Sequence, residues 1–212
     1  MTKRQKLEQG FERFLPQEFV PYVVDLLLKH PIKFKVVPPR LTKLGDFRAG
    51  IGIEKPVITV NGNLNPYAFL VTTLHEFAHL FTYLDYGFNV QPHGNEWKEN
   101  YCKLILPIVD SKNLPNDIEN ALLNSLVSVK ASSYSDIDLT RVLKKYDLNK
   151  DGKELLENLP KNSIFAINGR VFMKGELRRK KFFCMELSTK KKYLVHALAE
   201  VNLVNRENLD EK

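Results

Sequence analysis

Apolar residues recur mostly at helical spacing up to about residue 146, interrupted by two short strand-like runs, and strand-like runs take over after residue 160. Over residues 5–29, Phe11, Phe14, Leu15, Phe19, Val23, Leu26 and Leu27 mark a helix, with Pro16 as a break or restart. Ile32 to Val37 alternates apolar and basic residues and reads as a strand, and Val57 to Val60 as a second. Asn-Gly and Asn-Pro turns then lead into a long helix. There Asn65 can cap the free backbone donors, Pro66 fits the first helical position and Gly87 supplies a stop. A helix of about 21 residues would span roughly 31 Å. Leu70, Leu74, Phe77, Phe81 and Leu84 form one apolar stripe along it, with the opposite face left to line a cleft. Further helices are expected over residues 95–109 and 117–129, and a short one near 136–146.

The last quarter of the chain reads as β-structure. Ile164 to Ile167 and Val171 to Met173 flank Asn168-Gly169, a strong two-residue hairpin signal. Phe182 to Leu187 and Tyr193 to Val204 supply two more strands around a Ser-Thr-Lys turn. Ala131-Ser132-Ser133-Tyr134-Ser135 is the best linker. The pattern therefore predicts an α+β chain: a domain at 1–130, a linker with a short helix at 131–160, and a small β-rich domain at 161–212. Asp147-Leu148-Asn149-Lys150-Asp151-Gly152 imitates the start of a calcium loop. Asn158 stands where that loop needs a bidentate glutamate, so an acidic turn is the better reading.

The candidate chemistry sits on the long helix. Three of the five histidines fall between residues 75 and 93, as His75-Glu76-Phe77-Ala78-His79 followed by Pro92-His93-Gly94. Positions i and i+4 share a helix face, so His75 and His79 can reach one metal ion. Glu76 stands one residue round, placed to take a proton from a water beside the metal. The third ligand has several candidates. Asp85 holds the place of the last ligand in HExxHxxGxxH, but that pattern turns the chain with a glycine where this one has Thr82. Glu96 or Glu99 could complete a His2Glu site from a following helix. His93 lies in a loop free to fold back; it is favoured, Glu96 next and Asp85 last.

The helix motif, the His-Gly-x-x-Trp-Lys stretch at 93–98, and Gly45-Asp46-Phe47-Arg48 ahead of Ile58-Thr59-Val60-Asn61 together resemble the SprT-like zinc metallopeptidases. That family includes the bacterial SprT proteins and the DNA-dependent protease Spartan, and the resemblance covers roughly residues 10–110. It implies a zincin-type fold, one Zn2+ held by His75, His79 and His93, and general acid/base catalysis by Glu76. It also implies that Trp97 holds the His93 loop and that the strand near 57–60 runs along the cleft and pairs with extended substrate. Many members end in a zinc ribbon of paired CxxC motifs. After Cys102 this chain has only Cys184, so it resembles a variant without the ribbon.

Composition narrows the partners. No stretch approaches the 18 or more apolar residues of a membrane span, no secretory apolar run follows Met1, and two distant cysteines make no disulfide framework. The expectation is a cytoplasmic protein without a membrane partner. Residues 161–195 hold ten Lys or Arg against two Glu, a balance of +8 where the whole chain carries +7. Arg178-Arg179-Lys180-Lys181 and Lys190-Lys191-Lys192, interleaved with Phe182, Phe183 and Tyr193, suit phosphate contact and base stacking. The expected function is a zinc metallopeptidase cutting DNA-associated proteins, with single-stranded DNA as the favoured nucleic acid. The alternative is a nucleic-acid- or transcription-associated binding protein with a structural or idle zinc site.

Overall fold

A computed structural model describes residues 1–40, 42–50, 52, 54–127, 136–147 and 152–205. The chain divides into two compact units, residues 1–147 and 148–212. The expected linker at 131–135 and most of the calcium-loop lookalike lie outside the described residues.

In the first unit α1 (Lys3–Phe11) and α2 (Val20–Lys29) are separated at Pro16 by a short 3-10 turn. Strands β1 (Lys33–Val37), β2 (Gly45–Arg48) and β3 (Val57–Asn61) form a sheet of order β1-β3-β2. β1 runs parallel to β3 and β2 antiparallel. The strand at 57–61, expected to pair with an extended substrate, is thus central and already paired on both sides; the edges of the sheet are β1 and β2. Arg40 ties the entry to β2 down: its Nε and Nη1 donate to Asn61 Oδ1 at 2.8 Å and Thr59 Oγ1 at 3.0 Å on β3.

Helix α3 (Pro66–Tyr86) follows, and its ends are locally determined. Asn65 Oδ1 accepts the Ala68 N–H at 3.0 Å, and Gly87 leaves the helix at φ 67°. The single apolar stripe expected here is too narrow a description. Every residue from Ala68 to Ala78 is buried, because the sheet covers one side and α4 (Asn95–Asp110) another, whereas Leu84 is 54% exposed. Phe69, Leu70, Leu74, Phe77 and Leu80 share one core with Ile58 and Val60 of β3, Ile105 and Ile108 of α4, and Ile118 and Leu122 of α5 (Asn116–Val127).

The short helix expected within a linker, α6 (Ile137–Lys144), belongs to the first unit. Its Leu139 enters the core, and the Asn65 amide donates to Leu143 O at 2.9 Å and Asp147 Oδ1 at 2.6 Å. One asparagine thereby caps α3 and anchors α6.

The second unit is an antiparallel sheet of order β4-β9-β5-β6-β7-β8. Its strands are β4 (Glu154–Leu155), β5 (Ile164–Ile167), β6 (Arg170–Arg178), β7 (Lys181–Glu186), β8 (Lys192–His196) and β9 (Glu200–Leu203). β4 falls inside the expected linker and pairs with β9. Asn168 and Gly169 both take positive φ, as a tight hairpin turn requires. The single strand expected from Tyr193 to Val204 is broken at 197–199, where Ala197 N–H donates to Lys180 O and Ala199 N–H to His196 O. Lys174 is buried, with its ammonium donating to Glu157 O and Leu159 O and lying 4.0 Å from the Phe182 ring centroid. Both cysteines are free thiols.

Candidate metal centre

His75 and His79 stand one turn apart on α3. His93 takes φ 61° between Pro92 and Gly94, a left-handed backbone that swings its ring back onto the helix. The three Nε2 atoms converge, at 3.2 Å between His75 and His79, 3.0 Å between His79 and His93, and 3.1 Å between His93 and His75. Tetrahedral bonds of about 2.0–2.1 Å would set ligand nitrogens about 3.4 Å apart, so the triangle fits one ion within a few tenths of an ångström. A neutral ring nitrogen either donates or accepts, so among three mutually touching ones at least two are alike. Hydrogen bonding cannot satisfy all three contacts; a shared cation can. Burial, then the neighbouring rings, pushes His75 down to about 2, and His79 falls to about 4 by burial and His93. His93 is lowered by burial. The rings are therefore held in the neutral form that binds metals.

Trp97 forms the floor. It is almost fully buried, with ring centroids 4.7, 5.4 and 4.8 Å from those of His75, His79 and His93, and Tyr101 stacks beneath it at 4.9 Å. The competing ligands are absent from the cluster. Thr82 donates to Ala78 O at 2.7 Å, α3 continues, and Asp85 is carried to Asn100, whose amide donates to it at 3.2 Å. Among the described residues the convergent group is the three histidines alone, without Glu96 or Glu99.

Glu76 is buried between α3 and β2. Burial, helped by the Asp46 charge, pushes its carboxyl up to about 8, while Arg40, Lys43 and the Phe47 backbone N–H pull the other way. A carboxyl poised near neutrality suits both taking and returning a proton. Gly45 makes room for it: a Cβ there would stand 2.4 Å from Glu76 Oε1 and 2.8 Å from Thr72 Cγ2. Leu44 O accepts the Asn61 N–H from β3, so alternation turns the backbone groups of Gly45 and Phe47 away from the sheet. The Phe47 N–H accordingly reaches Glu76. A cleft of about 690 Å³ opens over these groups, lined also by Ala49, Tyr83, Phe88 and Val90. Sequence reasoning passes over Gly45, Phe47, Tyr83 and Phe88 as cleft residues; the spacing of Tyr83, four residues after His79, is the signal that could have found one of them.

The seven basic candidates do not form one patch. Arg178, Arg179, Lys180 and Lys181 surround the β6–β7 turn, and Lys190, Lys191 and Lys192 the β7–β8 turn. These lie at opposite ends of the six-residue β7, roughly 20 Å apart at about 3.3 Å per residue. All seven are exposed. Of the interleaved aromatics, Phe182 points inward over Lys174, so it is not a stacking surface. Phe183 is 37% exposed and faces its cross-strand neighbour Leu194, also exposed. Tyr193 is covered by the Arg170 guanidinium at 4.4 Å.

No protein-family model, curated protein or solved structure matches the chain. Its fold and site define an α+β protein with three histidines close enough to bind one metal ion. No described helix is long and apolar enough to cross a membrane.

Proposed function

We propose that the first unit is a zincin-type, SprT-like zinc metallopeptidase, with His75, His79 and His93 as ligands of one Zn2+ and Glu76 as general base and acid. The observation that carries this reading is the joint placement of the three converging Nε2 atoms and a buried carboxyl one residue from the first ligand. Bound zinc would polarise the scissile carbonyl and lower the pKa of water. The polypeptide would lie along β2, whose outward groups at Gly45 and the Phe47 carbonyl can pair with an extended backbone, the Phe47 N–H being held by Glu76. Glu76 would take the proton of the attacking water and return it to the leaving amine.

The substrates we propose are proteins associated with DNA, with single-stranded DNA contacted by the second unit. Arg178, Arg179, Lys180 and Lys181 at one end of β7 and Lys190, Lys191 and Lys192 at the other would hold phosphates, and Phe183 between them would stack on a base. The test is cleavage of a DNA-binding protein by the zinc-loaded chain, with and without single-stranded DNA, beside Glu76→Gln. Glu76-dependent cleavage that rises with DNA supports both parts. Salt-sensitive DNA binding without cleavage, zinc remaining bound, would favour a binding protein with an idle metal site. Cleavage indifferent to DNA would leave a general peptidase.

A further inference from the structure

One wall of the cleft is a continuous run of aromatic rings that starts at a metal-site histidine and ends in solvent. Phe47 of β2 lies nearly parallel to His79, at 10° with centroids 6.5 Å apart. Tyr83 follows at 5.9 Å from Phe47, and Phe88 at 5.0 Å from Tyr83. Three separate elements build the run. Tyr83 is on the His79 face of α3, one turn on. Phe88 comes back over Tyr83 because Gly87, at φ 67°, reverses the chain after the helix. Phe88 is 79% exposed, so its ring contributes almost nothing to the core. Ala49 and Val90 extend the same wall without charge. The cleft also has charged lining in Lys43, just before β2, and Asp46, which Lys43 and Arg48 hold at 2.7 and 2.9 Å, so that charge is paired.

From this we infer a side-chain subsite that selects a bulky apolar residue, aromatic above all, next to the bond to be cut. The inference rests on the metallopeptidase reading and specifies its substrate class. The occupant is a polypeptide because the wall adjoins the edge strand β2, where Gly45 and the Phe47 carbonyl face away from β3 to match an extended chain, the Phe47 N–H being held by Glu76. A peptide on that edge directs alternate side chains the same way, so one of them meets Phe47, Tyr83 and Phe88. Folded proteins keep large apolar side chains inside. The subsite therefore directs the enzyme to unfolded or looped segments.

Its test separates binding from catalysis. The zinc-loaded Glu76→Gln chain is titrated, by calorimetry, with end-blocked peptides identical except for Phe or Ser at one central position. The Phe peptide is expected to bind about 10- to 100-fold more tightly, the range set by burying one large apolar side chain. Tyr83→Ala or Phe88→Ser on the same background should bring the two peptides within about threefold, and Tyr83→Phe should retain the preference. Phe88 is exposed, so its replacement leaves the fold intact, which an unchanged circular dichroism spectrum checks. Equal affinities for the Phe and Ser peptides overturn the subsite. Cleavage sites in an unfolded protein scattered without regard to side chain overturn it while leaving the peptidase reading in place. A zinc-bound wild-type chain that prefers the Phe peptide yet cuts nothing would uphold the subsite and sink the peptidase.

Discussion

Gly45 lies against the Glu76 carboxylate so closely that one methyl group would stand 2.4 Å from Oε1 and 2.7 Å from Cγ. The Gly45 backbone is not in the left-handed region, so alanine fits it conformationally, and the Glu76 side chain and the Thr72 methyl must give way. Gly45→Ala should lower kcat/KM by about 100-fold, the scale of an ångström's misplacement of a catalytic group. Zinc affinity should stay within about threefold, because the three atoms nearest that methyl belong to Glu76 and Thr72. Parallel loss of zinc would show that Gly45 supports the fold and not the position of Glu76.

His93 is the proposed ligand that a loop holds, so its removal should spare the core. His93→Ala is expected to weaken zinc by at least about 100-fold while leaving the chain folded. Zinc at about a thousand times its Kd should stabilise the wild-type first unit by about 4 kcal/mol, and chelation should remove that increment. Calorimetric unfolding with and without chelator checks both. A His93→Ala chain that keeps full zinc affinity would return the third-ligand question to Glu96.

Glu186 of β7 supplies a pH dependence in the second unit. The Arg170 guanidinium at 2.7 Å, then the Thr189 hydroxyl, hold its carboxyl down to about 2, against an ordinary value of 4.5. With the folded value below the unfolded one, the contribution is complete above pH 4.5 and is lost as pH falls towards 2. Glu186→Gln should therefore destabilise the sheet at pH 7 and make little difference near pH 2. Methyl NMR melts of the second unit at the two pH values measure it; an equal difference at both would rule out the charge as its source.

The two basic clusters act, on the proposed reading, as separate ends of one track. Neutralising either Arg178-Arg179-Lys180-Lys181 or Lys190-Lys191-Lys192 should flatten the dependence of log K on log salt by about 0.7 for each phosphate that is no longer neutralised. Phe183→Ser should weaken single-stranded DNA binding by roughly 1–3 kcal/mol without changing that slope. Fluorescence anisotropy across a salt series distinguishes the two. A Phe183→Ser chain with a flatter slope instead would mean the ring positions charges and does not stack.

What is legible in the sequence is what local chemistry controls. The ends of α3 follow from Asn65-Pro66 and Gly87, each acting within a turn of itself, and the three histidines follow from helical spacing and one downstream loop. β2 is hidden because four residues without alternation become a strand only by pairing with β3, as register with Ile58 and Thr59 decides. The family resemblance consequently assigns the cleft to the strand near 57–60. The placement of α6 is hidden for a similar reason: the second set of hydrogen bonds made by Asn65 spans 78 and 82 residues. Leu84 fits the apolar period of α3, but no described element arrives to cover it. The aromatic wall joins three elements that no sequence window contains.

Trp97 is the only tryptophan in the chain, and it lies within 5.4 Å, centroid to centroid, of all three metal-site imidazoles. The protein thus carries an optical gauge at the one place where occupancy matters. Emission from that indole reports the first unit alone, and a paramagnetic ion such as Co2+ or Cu2+ seated among the histidines should darken it where Zn2+ does not. Competition between the two kinds of ion can then be followed in unlabelled protein, and the order in which they displace one another gives the metal preference of the site directly.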